Sequence, residues 1–247
     1  MNLVELGVNS FVALFALIDP IGNVPIFAAA TQGASPAQQR RLAFYIAVFA
    51  TAFLAFFYLT GLGILQFFGI SLSAFRIAGG VLLFLLGLDM SRSDFMAAFA
   101  DPDGAGALET KASVAAYARK RFERLVVPFA MPLLIGPGAI STAIIQASEA
   151  AKYGPAGTAA GAVAILALGV AILLAFMLTG PITRLLGRIG MAIVVRVLGL
   201  ILCAMAVQFI LVGVSDATHG VITRSVAQPY ARAGAAHGVA RAPAPSR

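Results

Sequence analysis

Charge is scarce in this chain: Lys, Arg, Asp and Glu make up 11% of its 247 residues, against 60% hydrophobic. A soluble domain carries about a quarter charged residues. No soluble core of this length could hide so much apolar surface, so a bilayer is the expected solvent. Cysteine is nearly absent too. The single Cys203 excludes an internal disulfide and supplies no cysteine metal site. The two histidines, His219 and His237, both fall near the C-terminal end, which leaves the apolar region without imidazole chemistry. The sequence has no Walker loop, metal-ligand cluster or nucleotide fingerprint, so ATP-driven pumping would need another subunit, and no cofactor or metal is expected. Enzymatic use of Ser141 lacks a histidine partner inside the membrane region, although a Ser–Asp or Ser–Lys pairing stays open. The chain is therefore not expected to be an enzyme.

The net charge of +7 could point to nucleic acid. The basic residues, however, sit in short loops and the tail, with no basic face interleaved with aromatics. Membrane proteins collect Lys and Arg in their cytoplasmic loops, and that reading suffices without a nucleic-acid partner.

Six apolar stretches, near 8–30, 42–64, 72–90, 125–148, 158–182 and 190–213, are each long enough to cross a hydrocarbon core, which takes about 20 helical residues. Short turns separate them: Gly33-Ala34-Ser35-Pro36, Gly69-Ile70-Ser71, Tyr153-Gly154-Pro155 and Gly187-Arg188-Ile189-Gly190. The pattern divides the chain into a first three-helix unit (1–90), a connecting loop (91–124), a second unit (125–213) and a basic tail (214–247). The loop should be helical towards Arg119–Arg124. The Ala-, Gly-, Pro- and Arg-rich tail should be disordered. The N-terminal run has no Lys or Arg in its first ten residues and is interrupted by Asp19 and two prolines, so it is expected to be a retained span and not a secretory signal.

Positive charge sets the expected orientation. Arg40, Arg41, Arg92, Lys111, Arg119, Lys120, Arg121, Arg124, Arg184 and Arg188 fall on one side; the other has only Lys152 in its loops, with four further arginines in the tail. The first side should be cytoplasmic, with both termini outside the cytoplasm.

The two units also resemble each other. Leu17-Ile18-Asp19-Pro20 aligns with Leu134-Ile135-Gly136-Pro137 (136 − 19 = 117), and Arg76-Ile77-Ala78-Gly79 with Arg196-Val197-Leu198-Gly199 (196 − 76 = 120). Leu59-Thr60-Gly61 likewise matches Leu178-Thr179-Gly180. With three spans in each copy, the copies must insert upside-down to one another. The expected fold is thus an all-α integral membrane protein of six transmembrane helices, a 3+3 inverted repeat with helices 1 and 4 broken.

Those two breaks are the candidate site. Ile18-Asp19-Pro20-Ile21-Gly22-Asn23-Val24-Pro25 interrupts the first span and Ile135-Gly136-Pro137-Gly138-Ala139-Ile140-Ser141-Thr142 the fourth. Lipid offers no hydrogen bonds, so non-helical backbone at depth must line an enclosed or watered cavity. Paired broken spans are the best sequence pointer to a transporter's substrate site. Asp19 should face the protein interior, given the cost of a carboxylate in lipid. It is equally suited to cap the half-helix beginning at Pro20. Gly22 permits close backbone approach, and Asn23 can donate or accept. Gly136 stands where Asp19 does in the first copy, so the amides after Pro137 and Gly138 are free for a substrate carboxylate. Ser141 and Thr142 can donate hydroxyls or bond back to carbonyls of their own helix. Arg76 and Arg196 flank the midplane from opposite sides, as snorkelling residues or as parts of two gates. Gln146 and Gln208 read as glue between helices. Gly79, Gly80, Gly87 and the Gly157–Gly161 run read as close-packing positions.

Three stretches, Phe15–Phe27, Phe68–Gly80 and Pro132–Thr142, resemble the signatures of MarC-type integral membrane proteins, and the resemblance covers about residues 1–213. It implies a six-span bacterial inner-membrane protein, in a family that includes small neutral amino acid transporters and is similar to amino acid exporters of the LysE type. The tail after residue 214 is longer than the resemblance implies. The expected function is a secondary transporter of glycine, alanine or serine. A passive channel built on the same breaks is the alternative. A coupling proton or cation, a homo-oligomer and the direction of transport stay open.

Overall fold

The computed structural model describes residues 2–92, 95, 99, 111–126, 130–131 and 134–218. The α-helices among them are α1 (Leu3–Ile18), α2 (Val24–Ala30), α3 (Pro36–Phe67), α4 (Leu72–Met90), α5 (Lys111–Leu125), α6 (Pro137–Ala151), α7 (Gly154–Met177) and α8 (Thr179–Ala217). Local chemistry sets the boundaries. Asn2 with Glu5, and Ser35 with Gln38, form reciprocal capping boxes at α1 and α3. The Ser71 hydroxyl accepts from Ala74 N–H at the start of α4.

Among the described residues, four helices have the length and apolarity to cross a membrane: Pro36–Phe67, Leu72–Met90, Gly154–Met177 and the Ile189–Ala217 part of α8. The first expected span is instead two helices, α1 and α2, parted at residues 19–23. The fourth is α6, preceded by a stretch of which only part is described. The fifth span stops at Met177 and does not run to 182, since Pro181 has no N–H and its ring would oppose the Met177 carbonyl. The chain restarts as α8, which bends at Gly187, where φ is +62° and ψ −178°. That conformation is cheap for glycine alone. α8 continues to Ala217, four residues past the expected boundary. Residues 219–247, and with them most of the expected disordered tail, lie outside the described residues.

The helices pack through small residues. Along α4, Ser73, Gly80 and Gly87 meet Gly213, Ala206 and Gly199 of α8 in descending order, so the two run antiparallel at backbone contact. A Cβ on Gly87 would fall 2.7 Å from Gly199 O, and one on Gly80 would fall 2.9 Å from Ala206 O. α3 and α7 are also antiparallel: Thr51 fills the notch at Gly169, Tyr58 that at Gly161, and the Tyr58 hydroxyl donates to Thr158 O at 3.3 Å. Lipid tails are as apolar as leucine, so such close approach replaces the hydrophobic drive between helices. α1 packs on α6 and α7, α2 on α8, and α5 on α3. Large apolar side chains such as Phe56, Leu59, Leu166 and Leu200 face outward, a surface suited to lipid.

Candidate functional site

The first break is a compact turn that satisfies most of its own polar groups. α1 ends when Asp19 turns left-handed (φ 42°, ψ 66°), the one non-glycine residue among those described with a positive φ. Aspartate tolerates this conformation better than most residues. Its Oδ1 accepts from Gly22 N–H at 3.0 Å, so Asp19 caps the turn that leads into α2. The Asn23 side-chain amide donates to Ile18 O at 2.8 Å and Asp19 O at 3.1 Å, taking up carbonyls left over at the end of α1. Asn23 cannot therefore offer that amide to a ligand without opening the turn. Its Oδ1 and the second carboxylate oxygen of Asp19 remain as acceptors. Gly22 lies between the Asp19 carboxylate and Leu198 of α8, with no room for a side chain. Pro20, Gly22 and Asn23 are buried and Asp19 half-buried. Beside the turn about 20 Å3 is left for a water-sized guest, lined by Asp19 and Asn23 with Met90, Leu198, Leu202 and Met205.

The second break has the opposite character. Gly136 is extended (φ −76°, ψ 171°), precedes Pro137 at the start of α6, and gives no side-chain cap. Pro137 has no N–H and the Ile140 N–H donates to Gly136 O at 3.1 Å, so the amides left without an acceptor in their own helix are those of Gly138 and Ala139. Pro137 abuts Gly79 of α4, where a Cβ would come within 2.9 Å, and Gly138 abuts Leu83 of α4 and Phe209 of α8. Ser141, one turn on, is fully buried, and its hydroxyl has no hydrogen-bond partner. Other hydroxyls in these apolar helices, those of Thr31, Thr51 and Thr60, bond back to carbonyls four residues earlier. Ser141 does not. Thr142 is half-buried beside it.

Arg76 and Arg196 take unlike places. Arg76 pairs with Asp216 at 2.7 Å, joining the N-terminal part of α4 to the last turn of α8. Arg196 is exposed on the outer face of α8. Gln146 accepts from the Ser10 hydroxyl at 2.9 Å, an interhelical bond of the kind expected for it.

The residues carrying these breaks lie within a match to the MarC family integral membrane proteins that spans residues 4–218. The chain belongs to the MarC family. Among curated relatives it is 36% identical over 208 residues to a UPF0056 membrane protein of Methanocaldococcus jannaschii, covering 84% of this chain and 95% of that one. It is 33% identical to a UPF0056 membrane protein of Pyrococcus abyssi (84% and 93% covered). It is 31% identical to one of Aquifex aeolicus (85% and 93%). No solved structure matches. Membership makes this a multi-pass integral membrane protein.

Sequence reading missed Asp216 as the partner of Arg76, and Met90, Leu198, Leu202 and Met205 as cavity walls. Asp216 had one usable signal, an acid near the end of the last apolar stretch and a base near the start of the third. The apolar wall residues had none, since they look like every other residue on their helices.

Proposed function

We propose that this MarC protein is a secondary transporter of small neutral amino acids such as glycine, alanine or serine, in a bacterial inner membrane. One observation carries the reading: the two breaks present unlike polar groups. The first offers acceptors, Asp19 Oδ2 and Asn23 Oδ1, suited to an ammonium. The second offers donors, the α6 N-terminal amides and the unpartnered Ser141 hydroxyl, suited to a carboxylate. A buried hydroxyl without a partner costs about 1–3 kcal/mol, which a bound carboxylate would recover. Ser10 and Gln146 tie α1 to α6 at similar distances from Ile18 and Pro137, which favours a common depth for the two breaks.

The 3+3 inverted repeat belongs to the same proposal. Copies inserted upside-down require their second spans to run antiparallel to one another, and their third spans likewise; α3 with α7 and α4 with α8 do so. The first break touches α8 through Gly22 and Leu198, and the second touches α4 through Pro137 and Gly79, as exchange of the halves requires. With the arginine-rich loops cytoplasmic, both termini face the other side. Asp19 has no basic partner among the described residues, which fits a coupling proton or cation. Space for one water does not admit an amino acid, so binding demands helix movement, and this favours a carrier over an open filter.

The test is counterflow. Purified protein in liposomes loaded with unlabelled alanine should accumulate labelled alanine or glycine transiently and saturably. Linear, unsaturable leakage instead would establish the channel.

A further inference from the structure

α2 is only seven residues long, so most of its carbonyls lie beyond the reach of an intrahelical donor. Each needs a partner from elsewhere. The Thr31 amide and hydroxyl donate to Phe27 O at 3.0 and 2.8 Å, and Gln32 N–H donates to Ala29 O at 3.3 Å. Ala30 is fully buried, and its carbonyl is taken by Nε of Arg121, on α5, at 2.8 Å. The same guanidinium donates through Nη2 to Phe99 O at 2.5 Å. Arg121 is 6% exposed, far less than expected of a loop arginine serving only to mark the cytoplasmic side. A buried cation has to be met by several acceptors, and the planar fork of arginine can serve two carbonyls at once. Its charge also lies at the negative end of α2.

α5 is itself anchored. Phe122 sits edge-on to Tyr45 and Phe49 of α3, and Ala118 and Leu125 are buried. At the far end of α2 lies the Asp19–Asn23 turn. α6, which follows the second break, runs fifteen residues and ends at the exposed Glu149–Lys152 pair instead.

We propose that Arg121 is a positioning residue: a latch that seats α2 from the connecting segment and keeps the cavity beside Asp19 and Asn23 closed to that face of the membrane. Its release is a step in opening the site to that side. The proposal rests on the transport reading and adds the inner gate to it.

The experiment is sided labelling. Cys203, the chain's single cysteine, is removed (Cys203→Ser) and Met90, a cavity wall, is changed (Met90→Cys). A charged, membrane-impermeant methanethiosulfonate is then applied to vesicles of each orientation. Arg121→Gln should speed labelling from the connecting-segment face on the order of tenfold, the loss of charge-assisted hydrogen bonds, with no rise from the opposite face. Arg121→Lys keeps the charge but not the fork and should fall between Arg121→Gln and the parent. Equal acceleration from both faces means general loosening and overturns the latch; so does labelling at the parent rate. Should Arg121→Gln fail to give monodisperse protein, Arg121→Lys is judged by the same two criteria. Wild-type counterflow is measured alongside. Counterflow with unsided labelling removes the latch alone, while sided labelling without counterflow removes the transport reading alone.

Discussion

At the scale of single residues, Ser141 offers the sharpest discrimination. Its hydroxyl is buried with no partner, so Ser141→Ala removes an unsatisfied group and breaks no bond. Thermal stability should stay level or rise slightly, while the apparent KM for alanine rises roughly tenfold, the worth of one hydrogen bond to a charged group. A fall in melting temperature with unchanged KM would mean that the side chain only fills space. Asp19 separates two roles in the same way. Asp19→Asn keeps an oxygen to accept from Gly22 N–H and should preserve the turn. It removes the charge, so exchange of labelled for unlabelled substrate should survive while accumulation driven by a pH or cation gradient disappears. Retained gradient-driven uptake would take Asp19 out of coupling.

At the scale of elements, the α4–α8 contact is the most exacting. Gly87→Leu must push a side chain into Gly199 O and the Cys203 backbone, and overpacking of this kind typically costs about 1–3 kcal/mol. A Cβ on Gly63, by contrast, has nothing within 4 Å. Gly63→Ala should therefore be neutral or stabilise α3 by up to about 1 kcal/mol, the difference in helix propensity. Thermal melts in detergent decide both, and equal effects of the two would refute backbone contact at Gly87. The Arg76–Asp216 pair, with Asp216 44% exposed, belongs with partly exposed pairs worth about 0–1 kcal/mol. Asp216→Asn should hardly shift the melt, yet should lower transport if the pair clasps the ends of α4 and α8. Restored transport in the Arg76→Asp, Asp216→Arg double variant would establish the clasp, and a double variant no better than either single change would dismiss it.

At the scale of the whole molecule, the inverted arrangement and the orientation stand or fall with topology. Reporter fusions or sided labelling at the two ends of the chain should place both termini on the same side, opposite the loop bearing Arg119 and Arg124. Termini on different sides would require an odd number of crossings and end the mirrored-copy reading.

Much of this was legible in the chain itself. Hydropathy and Pro and Gly punctuation are local properties, so they marked the break at Asp19 and the start of α6 at Pro137, while other helix ends were displaced: α3 begins at Pro36 and not at 42, and α8 at Thr179 and not at 190. Lipid enforces that legibility, because backbone that leaves the helix inside a membrane has to be marked by residues able to satisfy or excuse it. Contacts between distant residues carry no such mark. Asp216 meeting Arg76, Arg121 reaching Ala30 O, Asn23 folding its amide back on Ile18, and Ser141 left buried without a partner were settled only by how the helices pack. Each depends on a register between helices, which small side chains permit at many positions and only the assembled fold selects.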